Sequence, residues 1–295
     1  MSQLPDRFIL NMIIDGRKLA GAREALLKKK VDRFIKINRR RPSLLAIELS
    51  DDPGSRLYLK LKKAAAERIG IEFQPSSFVL RPSSFSRFDG IFIQHPPGCD
   101  KQKWQELADQ IPPEKDVDCL TTKNLNLIKR GRSRFLPATV MAVIYCLTAA
   151  LHLKRTVLPW EGLSFLEKNV VILGRSPILG LPLYHWLKTL GADVTLLHSQ
   201  SKNIKQKTKT ADILISSVGK PKIITGDMVK NGVIAIDCGS PIGDIDFASV
   251  NQKAAAITPV PGGVGPLTVV SLMENVVESA YHASQENSAN VNQKI

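Results

Sequence analysis

Residues 170–190, VVILGRSPILGLPLYHWLKTL, constrain the fold most, because they read as a buried strand, a glycine turn and a helix in immediate succession. Residues 170–173 are continuously apolar, the pattern of a parallel strand covered on both faces, and Gly174 ends the run where the backbone must turn sharply. Pro182 falls near the start of the next helix, where its missing N–H costs little. Free N–H groups at such a start attract anions, which makes a phosphate on Arg175 and Ser176 physically reasonable. Gly174 and Gly180 lack a middle glycine, so the turn is neither the full dinucleotide fingerprint nor a Walker loop. Alone it fits a nucleotide seat and an ordinary strand-to-helix turn equally.

The pattern then repeats. Strands are expected at residues 193–197, 213–216 and 233–237, alternating with helical stretches, which gives a doubly wound parallel sheet. The second strand runs into His198-Ser199, where an NAD site would carry an acid for the ribose 2′-OH. No acid stands there. Ser199, Lys202 and Lys205, with Arg175, offer a hydroxyl and cations, which suits a 2′-phosphate and favours NADP over NAD. Charge on an exposed loop is the competing explanation.

The first half predicts a charged amphipathic helix at residues 14–37, a strand at 44–49, a turn at Asp51-Asp52-Pro53-Gly54, and a helix at 55–69 ended by Gly70. On that helix Ser55, Tyr58 and Lys62 share one face. A lysine there is a candidate acid/base group if desolvation lowers its pKa, although Lys60 and Lys63 beside it equally suit a solvated face. A strand at 88–95 delivers Gln94 to its carboxyl end, where open parallel sheets place ligands. A helix at 101–110 precedes Pro113-Glu114-Lys115-Asp116-Val117-Asp118, whose carboxylates lack further ligands at metal spacing. Residues 258–268, TPVPGGVGPLT, hold three prolines and three glycines and are expected to form neither a helix nor a central strand. A helix at 269–283 and a polar tail follow.

At 295 residues the chain is long enough for two lobes, and 43% hydrophobic residues against 23% charged is an ordinary globular balance. Cys99, Cys119, Cys146 and Cys238 show no CxxC pairing, which argues for a reducing, cytoplasmic setting, and no secretory signal is read. The uncharged run 135–153 contains Pro137, Thr139, Thr148 and His152 and is expected as a helix buried between lobes, not a membrane span. The +14 charge is uneven: residues 1–150 hold 27 Lys+Arg against 16 Asp+Glu. That excess would suit nucleic acid or an acidic small substrate, yet no RNA-binding motif with interleaved aromatics accompanies it.

Taken together, Ser55-x-x-Tyr58-x-x-x-Lys62, Asp89-Gly90-Ile91-x-x-Gln94, the 113–118 loop, Gly174-Arg175-Ser176-x-x-x-Gly180, His198-Ser199 and TPVPGGVGPLT run in order along nearly the whole chain. Their combination resembles the bifunctional methylenetetrahydrofolate dehydrogenase/methenyltetrahydrofolate cyclohydrolase family. The resemblance implies an α/β protein of two lobes: a folate-binding catalytic domain of residues 1–137 plus 267–295, and a Rossmann-like NADP domain of 138–266 through which homodimers form.

The resemblance also assigns roles. Lys62 is the general acid/base, Gln94 holds and tunes it, Tyr58 stacks on the aminobenzoyl ring and Asp118 anchors the pterin. Ser55, Ile93, His95, Pro261, Gly262, Gly263, Val264, Gly265, Pro266, Leu267 and Thr268 line the folate side. Gly174, Arg175, Ser176, Gly180, His198, Ser199 and Ser240 bind NADP. A basic first lobe suits a substrate bearing glutamate carboxylates. The chain departs from the family pattern at His95-Pro96-Pro97, at Ala138 and Val140, at Ser240, and in a short segment 71–88. Rival readings are a cyclohydrolase without dehydrogenase activity, a shikimate-type NADP dehydrogenase, and a basic nucleic-acid-binding protein.

Overall fold

The computed structural model describes residues 11–49, 52–77, 82–94, 100–151 and 168–292. In chain order the elements are β1 (Met12–Ile13), α1 (Gly16–Asn38), β2 (Ser43–Glu48), α2 (Pro53–Ile69), β3 (Glu72–Ser76), β4 (Gly90–Gln94), α3 (Lys101–Ala108), α4 (Thr122–Lys129) and α5 (Ala138–Ala150). They continue as β5 (Asn169–Leu173), α6 (Gly180–Thr189), β6 (Asp193–Leu197), α7 (Ile204–Thr210), β7 (Ile213–Ser216), β8 (Ile234–Asp237), α8 (Phe247–Asn251), β9 (Ala256–Ile257) and α9 (Val264–Asn292).

Two compact units emerge. One comprises residues 18–141 with 267–292, and the other residues 11–17 with 142–266. The resemblance assigns the first residues to the catalytic domain, whereas 11–17 fall in the other unit. The reason is strand pairing: Met12 and Ile13 add a parallel edge strand beside Ala256 and Ile257.

In the first unit β3-β2-β4 form a parallel sheet. Leu45, Ile47, Ile91 and Ile93 face one side and pack with Phe85, Trp104 and Ile111. Side chains alternate along a strand, so Ala46, Glu48, Phe92 and Gln94 point to the other side. Asp89 fixes the start of β4 against β2: its buried carboxylate takes both guanidinium nitrogens of Arg40, at 2.6 and 2.8 Å, and the N–H of Ser43 at 2.9 Å. Arg40 thus neutralises a buried charge. The long α9 is tied to the same unit by Asn275, which donates to the carbonyls of Val117 and Leu136, and by Ser279, which donates to that of Asp89.

In the second unit six parallel strands run β1-β9-β8-β7-β5-β6. β6 and β7 flank β5, so the order reverses beside β5, and ligands bind outside the carboxyl ends of strands at such a reversal. Val171, Leu173, Leu214, Ala235 and Ile257 belong to one core cluster.

Several expectations need correction. Pro53 and Gly54 form the first turn of α2, because Asp52 caps the helix by accepting the Ser55 N–H at 2.8 Å and proline is tolerated at that end. TPVPGGVGPLT is irregular only to Gly263. Val264 begins α9, and Pro266 sits in a first turn where no N–H is needed. The segment after Ile71 supplies β3, an edge strand that accommodates Pro75. The apolar run at 135–153 is helical over Ala138–Ala150, with residues 152–153 outside the described set. Among the described residues no helix is long and apolar enough to cross a membrane.

Candidate active site

Ser55 and Lys62 are buried and Tyr58 is half-buried, whereas Leu57, Lys60, Leu61 and Lys63 on the remaining faces of α2 are exposed. Helical spacing therefore sorts the three lysines: Lys62 is 8% exposed, and Lys63 instead reaches solvent beside Glu67. The Lys62 ammonium donates to Gln94 Oε1 at 3.0 Å and lies 4.1 Å from the centre of the Phe92 ring. Burial pushes the Lys62 pKa down, and the nearby Asp118 carboxylate opposes that shift.

Asp118 is held by the Ala138 N–H at 3.0 Å. Burial raises its pKa, while Lys62 and that N–H lower it. Lys62, Gln94 and Asp118 thus converge, with Phe92 as an aromatic floor. An amine with one neutral acceptor and a ring is only partly compensated for lost water, which keeps its neutral form accessible. Asp116 does a different job: fully buried, it accepts the N–H groups of Leu120 and Thr121 and the amide of Asn124, and so shapes the loop.

Ile93 turns to the opposite face of β4 with Trp104, leaving only its backbone toward the Lys62 side. His95 lies outside the described residues. Within 261–268, Leu267 is fully buried and Gly263 and Val264 are buried; Pro261 and Gly265 are exposed, and Gly262, Pro266 and Thr268 are half-buried.

In the second unit the turn after β5 is closed by backbone contact. A Cβ on Gly180 would lie 1.9 Å from the Gly174 carbonyl oxygen, and one on Gly174 would lie 2.4 Å from that of Ser217. Gly174 also has φ +109°, so both positions demand glycine. Leu173 pairs with Leu197, so Arg175 and Ser199 each follow a matched strand end by two residues, and both are exposed. His198 and Ser201 are spent on their own turn: the His198 N–H donates to Ser201 Oγ at 2.9 Å.

Lys202 is exposed, but Lys205 forms an ion pair with Asp227, whose pKa Lys205 and Thr225 pull down to about 2. Lys205 therefore drops out of the cation set read from the sequence. Ser240 is exposed on the loop after β8. A tight glycine turn beside the strand-order reversal, with an arginine and a hydroxyl at adjacent strand ends and no acid after β6, fits a dinucleotide carrying a 2′-phosphate.

Sequence reading missed Phe92, although its position two residues before Gln94 puts it on the Lys62 face. It also missed Asp237 and Asp244, whose partners are mostly backbone groups.

The fold and these residues define an α/β protein in which a doubly wound nucleotide-type unit accompanies a unit with a buried, amide-held lysine. A model of the tetrahydrofolate dehydrogenase/cyclohydrolase catalytic domain matches residues 14–118, and one of the NAD(P)-binding domain matches 153–284. The chain belongs to the tetrahydrofolate dehydrogenase/cyclohydrolase family.

The bifunctional protein FolD of Lactobacillus gasseri is 36% identical, across 91% of this chain and 97% of that protein. That of Bacillus licheniformis is 37% identical, across 92% and 98%. The crystal structure of the Campylobacter jejuni bifunctional methylenetetrahydrofolate dehydrogenase/cyclohydrolase superposes with a TM-score of 0.79 at 31% identity, covering 92% of this chain and 99% of that one. The Trypanosoma brucei enzyme, solved with NADP and an inhibitor, gives 0.78 at 30% identity over 92% and 98%.

Proposed function

We propose that the chain oxidises 5,10-methylenetetrahydrofolate to 5,10-methenyltetrahydrofolate with NADP and hydrolyses that product to 10-formyltetrahydrofolate. The observation that carries this reading is the buried Lys62–Gln94 pair, in a chain whose two units each match their domain of the family.

NADP supplies the hydride acceptor. Arg175, Ser176 and Ser199, with Gly174 and Gly180, would hold it, and Arg175 and Lys202 would select the 2′-phosphate form. Lys62 in its neutral form takes a proton from the water that attacks the methenyl carbon and returns it to the nitrogen released as the C–N bond breaks, while the remaining hydroxyl proton leaves to solvent as the formyl carbonyl forms. Gln94 Oε1 fixes the amine for that exchange. Asp118 anchors the pterin and biases Lys62 toward its charged form, Tyr58 stacks on the aminobenzoyl ring, and the segment 261–268 adds backbone to the folate side. The basic first half favours a polyglutamylated substrate. The enzyme works in the cytoplasm as a homodimer formed through the NADP-binding unit.

The deciding experiment supplies methylenetetrahydrofolate with NADP or NAD and follows reduced cofactor and methenyl product together. Turnover with NADP preferred is expected. Absence of turnover, combined with tight binding of labelled RNA at physiological salt, would replace the enzyme reading with the nucleic-acid one.

A further inference from the structure

Two buried carboxylates stand at the carboxyl end of the six-stranded sheet, and the chemistry above uses neither. Asp237 ends β8 and is 3% exposed. Its carboxylate accepts the N–H groups of Gly239 at 2.8 Å, Asp244 at 3.0 Å and Ile245 at 2.8 Å, so the loop after β8 folds back around it. The fit is close: a Cβ on Gly243 would lie 2.4 Å from Asp237 Oδ2.

Asp244, fully buried, reaches across to the end of β7. It accepts from Ser216 Oγ at 3.0 Å, Val218 N–H at 2.6 Å and Lys220 N–H at 2.8 Å. The Asp237 N–H in turn donates to Thr258 Oγ1 at 2.8 Å, at the head of the proline-glycine block. One hydrogen-bonded chain thus joins the loop after β7, the loop after β8 and Thr258.

Neighbouring buried like charges are a costly way to stabilise a fold, and apolar packing would serve as well. Burial and the neighbouring Asp244 both push the Asp237 pKa up, against the three N–H groups. What the pair achieves is geometric. The segment it fixes contains Ser217, whose carbonyl closes the back of the Gly174 turn at the strand-order reversal.

We propose that Asp244, seated on Asp237, is a positioning residue for the cofactor: it preforms the loop 217–220 and so sets NADP affinity and the dehydrogenase step, leaving hydrolysis untouched. This rests on the reading given under Proposed function.

The test uses the full chain and two readouts, NADP affinity by calorimetry and hydrolysis of supplied methenyltetrahydrofolate without cofactor. Asp244→Asn sets an amide N–H against a donor, and NADP affinity should fall about 10-fold or more while hydrolysis stays within about twofold. Ser216→Ala removes one of three donors and should weaken NADP binding by a smaller factor, about 2–5-fold, with the same selectivity. Unchanged affinity in Asp244→Asn, or a parallel fall in affinity and hydrolysis, would overturn the assignment. If Asp244→Asn does not fold, Ser216→Ala decides alone by the same criterion. A parent chain that binds no NADP would sink the cofactor reading itself, and is seen before any variant is compared.

Discussion

The carboxyl ends of the two parallel sheets arrange charge in opposite ways. At the carboxyl end of the sheet built on β2, β3 and β4 the buried ionisable group is an amine, Lys62, with an amide acceptor, a ring and a half-buried carboxylate around it. In the unit built on β5 to β9 the buried charges are anions, Asp237 and Asp244, each accepting three hydrogen bonds, while Arg175 and Lys202 stay in solvent. A group that must gain and lose a proton sits where neither state is fully satisfied. A group that holds a loop instead accepts several hydrogen bonds from the loop it holds. On the proposed function, the first unit supplies the reacting group and the second holds the cofactor.

The sharpest way to break this contrast is Lys62→Met. Cyclohydrolase activity should fall by about 10²–10⁴-fold, the range of general acid–base catalysis, with NADP affinity unchanged. The same substitution should raise thermal stability. Burial holds the Lys62 pKa below its ordinary 10.5, so between that lowered value and 10.5 the unfolded chain binds more protons and stability rises with pH. The penalty is fully present below the lowered value and gone above 10.5. The stability gain of Lys62→Met should accordingly shrink as unfolding is followed from pH 7 toward pH 10.5, and a gain that does not vary with pH would contradict the buried, titrating amine.

Gly180→Ala probes the other unit. With 1.9 Å available between its Cβ and the Gly174 carbonyl oxygen, the backbone of the turn must move. Backbone strain of about 1–3 kcal/mol corresponds to roughly 10–100-fold in NADP affinity, read by calorimetry, and hydrolysis of supplied methenyltetrahydrofolate should survive. Equal loss of both would mean that the two units do not divide the work in this way.

How far the sequence reveals this contrast depends on the range of the interactions. The strands β5, β7 and β8 are plain because each is a short, largely buried run, β6 because it continues the alternation of strand and helix, and Ser55, Tyr58 and Lys62 because helical spacing is a local property. β3 hides behind Glu72, Gln74 and Pro75, residues an edge strand tolerates and a central one would not. β1 and β9 are two residues each and exist only through pairing across the chain. Helical spacing puts Lys62, and not Lys60 or Lys63, on the face of Ser55, but its partners Phe92 and Gln94 lie on β4 and nothing within the helix states them. Asp237 and Asp244 are equally silent, since their partners are mainly N–H groups that converge only once the loops are closed.

Lys205 and Arg175 separate true cofactor contacts from mere proximity of charge. Arg175→Ala should weaken NADP by about 10-fold, toward the lower part of the range for a charge-assisted hydrogen bond because the side chain is exposed, and should leave NAD binding nearly unchanged. That loss should itself diminish at high salt, as screening weakens an exposed phosphate contact. Lys205 carries the same charge on the following helix, yet its ammonium is already held by Asp227, and Thr225 braces that carboxylate from the other side. Lys205→Ala should therefore change NADP affinity by no more than about twofold, the scale of an exposed ion pair, in the same calorimetric titration. A loss equal to that of Arg175→Ala would mean that Lys205 leaves Asp227 for the 2′-phosphate, and the cofactor-binding surface would then extend from the glycine turn onto α7.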